Sequence, residues 1–139
     1  RRGLEAEDKA ERALMYFKRK RLIARFIRTV RFSPHDLDGK DFVVTLLTGD
    51  DIAIDVKNHR WYGRDEREHR EKGILLVTIW ESDTDEIARE KILNLIVCAY
   101  LSRLRLDEVR ALIAGALKER IDNPRALSMA LHHRLQISR

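Results

Sequence analysis

Two short alternating runs joined by a tight turn constrain this chain more than any other feature. Asp41–Leu47 (DFVVTLL) and Ile52–Lys57 (IAIDVK) read as strands, and Thr48–Asp51 (TGDD) between them supplies Gly49, which can take a positive φ. On the second strand Ile52, Ile54 and Val56 share one face, and Ala53, Asp55 and Lys57 share the other. Asp55 and Lys57 therefore project together, about 7 Å apart along the strand. A turn centred on Gly49 sets Asp41 opposite Lys57 and Val43 opposite Asp55, so two carboxylates and an ammonium converge at one end of the sheet. Charges set into an otherwise apolar strand are costly unless they are paired or hold a metal.

The remaining elements frame this hairpin. Residues 4–20 read as a helix whose apolar face is Leu4, Ala6, Ala10, Ala13, Leu14 and Phe17, with acids early and bases late as the helix dipole favours. Residues 22–32 are ambiguous, their Phe26–Phe32 end being the more strand-like, and 33–40 is a turn-rich loop. Residues 58–73 form a charged stretch, read as a mobile loop or short exposed helix. Ile74–Trp80 (ILLVTIW) has the length and branching of a buried strand. Asp83 and Glu86 fit a capping box before a helix over about 85–105, and further helices are expected over 108–121 and from Asn123–Pro124 to Leu135. Helix, three or four strands, then helices describe an α/β or α+β three-layer domain, not a βαβαβ alternation with a nucleotide fingerprint.

With 139 residues, 44% of them hydrophobic, the chain reads as one domain with a core of its own, and intrinsic disorder is not expected. Its longest largely apolar runs fall far short of the ~20 residues that span a bilayer. No secretory leader opens it, so an intracellular, cytoplasmic protein without membrane attachment is expected. Cys98 is the single cysteine, which rules out an internal disulfide and a Cys-based zinc site. A formal charge of +5 favours polyanionic partners, nucleic acid first, although 23 acids interspersed with 28 bases make much of the surface mixed.

Two carboxylates and a lysine suit a hard divalent cation. Mg²⁺ takes oxygen ligands, keeps several waters and commonly uses one or two carboxylates plus a substrate phosphate. A third acid is expected from the first helix, Glu7 before Glu11. Asp41, thirteen residues, then Asp55-Val56-Lys57 on consecutive strands resembles the PD-(D/E)xK nuclease superfamily, the restriction-endonuclease-like and Holliday junction resolvase-like fold. Gly39-Lys40-Asp41-Phe42 is similar to the Gly-x-Asp-Phe lead-in of many members. The order helix, strand, strand, Lys strand, helix, strand agrees over about residues 4–100, with a C-terminal helical extension over about 106–139. The resemblance implies a DNA endonuclease or related phosphodiesterase using Mg²⁺ or Mn²⁺. Asp41 and Asp55 would be its strand ligands, Glu7 the helix acid and Lys57 the catalytic lysine assisting the attacking water. No proline precedes Asp41, and the second acid is Asp where Glu is commoner; neither departure removes a ligand. Acid-x-Lys also occurs at Glu7-Asp8-Lys9 and Asp38-Gly39-Lys40, but only Asp55-Val56-Lys57 lies on an alternating strand behind an acid-headed one.

Nucleic-acid contacts are expected from Asn58, His59, Arg60, Trp61, Tyr62 and Arg64. Capping for Asn58 and His59, and anchoring of the loop for Trp61 and Tyr62, are the competing roles. His35, His132 and His133 read as solvated, Cys98 as a small core residue, and Arg125 and Arg134 lie on a faintly helix-turn-helix-like pair. DNA is the expected partner, and a homodimer follows from the need for two sites to cut two strands. Three further alternatives are open: a surface hairpin closed by an Asp41–Lys57 salt bridge, a catalytically silent nucleic-acid-binding or assembly module on the same fold, and a structural oligomer joined through the C-terminal helices.

Overall fold

The computed structural model describes residues 2–29, 40–59, 67–69 and 71–117. Expectations for His35, Arg60, Trp61, Tyr62, Arg64, Arg125, His132, His133 and Arg134 lie outside these residues. The elements are α1 (Arg2–Arg19), β1 (Ile23–Arg28), β2 (Phe42–Leu46), β3 (Asp51–Lys57), β4 (Ile74–Thr78), α2 (Asp85–Leu101) and α3 (Leu106–Leu117). By contacts the chain divides into two compact units, one ending at Leu95 and the other beginning at Ile96, with α2 running through the division.

In the first unit α1 packs on β1 and β3. Ala6, Ala10, Ala13, Leu14 and Phe17 are buried as their spacing requires, and the three alanines let the helix backbone approach the sheet. Leu4 departs from the expected face: it is 48% exposed, because it lies in the first turn, ahead of the buried stripe. The helix ends in a Schellman motif. The Leu22 amide donates to the Phe17 carbonyl at 2.9 Å and the Arg21 amide to the Lys18 carbonyl at 3.0 Å. Arg21 holds the left-handed position at φ 59°, which a glycine usually fills. That turn sends the chain into β1, resolving the ambiguous segment as a strand.

The sheet order is β1-β2-β3-β4; β1, β2 and β3 are an antiparallel meander and β4 runs parallel to β3. Phe42, Val44 and Leu46 on β2 and Ile52, Ile54 and Val56 on β3 are buried, with Phe42 paired to Ile54 and Val44 to Ile52. β4 places Leu76 beside Asp55 and Thr78 beside Lys57. A parallel neighbour forces the chain to cross the sheet between β3 and β4. Residues 67–69 in that crossing are helical.

Helix α2 starts at a cap one residue later than expected. The Ile87 amide donates to the Thr84 hydroxyl at 3.2 Å, so Thr84 is the cap. Asp83 instead accepts the Trp80 amide at 2.9 Å and the Lys91 ammonium. In the second unit Tyr100 is fully buried and Cys98 half-buried, and α3 buries Val109, Ile113 and Leu117 at helical spacing. Glu108 reaches back 3.3 Å to the Arg105 amide, closing the first turn of α3. No helix among the described residues is long and apolar enough to cross a membrane.

Candidate active site

The hairpin register decides what Asp41 meets. The Gly49 amide donates to the Leu46 carbonyl at 3.0 Å, and the Leu46 amide to the Asp50 carbonyl at 2.8 Å. With Gly49 at φ +91°, this is a three-residue loop ending in a left-handed glycine. The loop therefore centres on Thr48, not on Gly49, and moving the centre by one residue slides the pairing by two. Faces are kept but partners change: Val43 pairs with Ala53 rather than Asp55. The Asp41 amide donates to the Ile54 carbonyl at 2.9 Å, so Asp41 stands across from Asp55 rather than Lys57. The expected convergence of two carboxylates and an ammonium survives, with the two acids as direct neighbours.

Asp55 is 3% exposed and is the one charged or polar residue fully buried among the described residues. Its Oδ2 lies 3.2 Å from Lys57 Nζ and 2.6 Å from His69 Nε2. Asp41 is half-buried, and its Oδ2 accepts the Val56 amide at 2.7 Å. Burial pushes the Asp41 carboxyl up to about 8, reinforced by its hydrogen bond to Asp55 and the charges of Asp55 and Glu7, against the Val56 amide. The raised Asp41 carboxyl thus keeps its proton where an ordinary aspartate has lost it.

The helix acids face β1. Arg28 Nη1 lies 2.7 Å from Asp8 and 2.9 Å from Glu11, and Arg28 Nε lies 3.9 Å from Glu7 Oε1. Burial works against the Arg28 charge, but the bonds to Asp8 and Glu11 outweigh it and raise its pKa above the ordinary value. Glu7 acts on Asp41 through its charge, while Glu11 closes on Arg28. Asn58 is half-buried and His59 exposed; their side chains meet at 3.1 Å. Both line an open groove of about 620 Å³ with Trp80, Glu81 and Ser82, just beyond Lys57.

His69 and Arg28 were not singled out from sequence. His69 lies in a run of charges that names no partner for it, and Arg28 sits on the segment whose strand character was undecided. The signal for His69 was topological. Once β4 is parallel to β3, the connection must pass across the sheet, where its side chains can meet residues on the face opposite Ile54, such as Asp55.

Among the described residues no group of three or more His, Cys, Asp or Glu side chains is arranged to hold a metal. Asp41 and Asp55 alone nevertheless fit a hard cation. They are two neighbouring carboxylates whose mutual repulsion a divalent charge would relieve, and two protein ligands suffice for Mg²⁺ when water and phosphate complete its shell. No family model, no curated protein and no solved structure matches this chain.

Proposed function

We propose that the chain is a metal-dependent phosphodiesterase that hydrolyses DNA, built on a restriction-endonuclease-like core. The carrying observation is the buried Asp55 carboxylate, set against Asp41 on one side and 3.2 Å from the Lys57 ammonium on the other. The order of α1, the antiparallel meander, the helical turn at 67–69 and the parallel β4 supports the fold, since this is the order the family resemblance implies.

In this reading Asp41 and Asp55 hold Mg²⁺ or Mn²⁺, with Glu7 supporting directly or through water. The ion, when bound, lowers the pKa of a coordinated water and offsets charge on the scissile phosphate. Lys57 donates to the attacking water or to a phosphate oxygen. Arg28 gathers the α1 acids and limits their repulsion of an incoming strand. Asn58 and His59, with Arg60, Trp61, Tyr62 and Arg64 in the same segment, contact the substrate backbone. An intracellular setting and a homodimer that cuts both strands belong to the same proposal. In a purified preparation, Asp55→Ala abolishes Mg²⁺-dependent DNA cleavage; unchanged cleavage overturns the reading.

One observation favours a second reading. Asp55 Oδ2 is engaged by both Lys57 and His69, as in an internal ion-pair network needing no metal. A catalytically silent nucleic-acid-binding module follows, whose DNA affinity survives chelation and falls steeply with salt.

A further inference from the structure

A second recess lies against α1, apart from the aspartate pair. It has a volume of about 290 Å³ and is lined by Arg12, Arg19 and Arg89 together with Met15, Tyr16 and Asp85. Two of its guanidiniums are held in place. Arg12 Nε and Nη2 donate to the two Asp85 carboxylate oxygens at 2.9 and 3.0 Å. The Arg89 guanidinium sits 4.9 Å from the centroid of the Tyr16 ring. Three guanidiniums thus face one carboxylate in the lining, and the surplus charge is positive. The planar guanidinium fork matches phosphate oxygens, and arginines fixed before binding lose less freedom when the anion arrives.

The recess is linked to the groove beside Lys57 through α1. Lys9, one turn before Arg12, donates to the Trp80 and Glu81 carbonyls at 3.2 and 2.9 Å. Trp80 and Glu81 in turn line the groove with Asn58 and His59. The segment from Trp80 to Asp85 therefore runs from that groove to this recess, pinned to α1 at both ends.

We infer that the Arg12–Arg19–Arg89 recess binds a backbone phosphate of the substrate strand at a distance from the scissile bond. The inference rests on the nuclease reading for the identity of the strand. It makes the recess a positioning contact, which strengthens binding without touching the reacting atoms.

The test uses the full chain, fluorescein-labelled oligodeoxynucleotides with Ca²⁺ in place of Mg²⁺, and anisotropy over a range of salt. Arg19→Gln/Arg89→Gln is expected to flatten the slope of log affinity against log salt by about 0.7 to 0.9, the share of one phosphate contact. Arg19→Lys/Arg89→Lys retains most of the slope, and single-turnover cleavage at saturating DNA in Mg²⁺ is unchanged in both. Arg105→Gln, which removes an arginine on the other unit, leaves the slope unaltered. A wild-type slope in the double glutamine variant, or an equal loss in Arg105→Gln, overturns the inference while wild-type cleavage leaves the nuclease reading standing. A wild type that neither binds nor cuts DNA overturns both. A thermal shift with inorganic phosphate alone, lost in the double glutamine variant and unaccompanied by DNA affinity, makes the recess a site for free phosphate and likewise overturns the strand assignment.

Discussion

Asp41 holds a proton in the folded protein that it gives up in the unfolded chain. Its folded pKa of about 8 stands above the 3.8 of an ordinary aspartate, so the native state binds the extra proton between those two pH values. Stability from this group is fully present below the unfolded pKa and is lost as pH rises towards 8. Asp41→Asn removes that dependence. Its melting temperature should exceed that of the wild type at pH 8, by a margin that shrinks towards pH 4; thermal denaturation across that range checks it, and a margin that widens at low pH contradicts it. Lys57→Met acts on the neighbouring acid, Asp55. It strips one cation from a buried carboxylate and should lower cleavage by about 10²- to 10⁴-fold. Calorimetry on the same variant should still record Mn²⁺ binding.

Among the elements, the hairpin shows what sequence patterning carries and where it stops. Period-two alternation sorted Ile52, Ile54 and Val56 from Asp55 and Lys57, because side-chain direction is a local property of a strand. Register is set by which turn closes the loop, and glycine serves either at the centre of a loop or at its left-handed last position. Only the bonds at Leu46 decide between them. The same holds at the start of α2, where Asp83 and Thr84 both have capping side chains and Lys91 draws Asp83 away. Backbone conformation also makes predictions. Arg21 at φ 59° and Gly49 at φ +91° both occupy the left-handed region. Arg21→Gly should therefore stabilise by about 0.5–1 kcal/mol, and Gly49→Ala should destabilise by about 1–2 kcal/mol. Gly115→Ala, inside α3 with open space around the added methyl group, should stabilise by about 0.5–1 kcal/mol. Urea denaturation of the three variants separates the signs.

At the scale of the molecule, the order of the described elements was readable outside β1 because burial and helix or strand period leave their mark on sequence. The placing of Asp55 and Lys57 on one face of β3, behind Asp41 at the head of β2, was readable for the same reason. His69 was not, since its approach to Asp55 depends on how a connection folds back over the sheet, and neighbouring charges along 58–73 carry no trace of that. The first unit places a buried acid, its half-buried neighbour, a lysine and two separate basic or mixed recesses around one α1-covered sheet. In the proposed reading a divalent cation is what the two acids hold. The most direct measurement is calorimetric titration of Mn²⁺ into the wild type and Asp41→Ala/Asp55→Ala, followed by DNA cleavage on the same samples. The account predicts saturable binding and cleavage in the wild type, both lost in the double variant. Metal-dependent cleavage that persists without the two aspartates would contradict it.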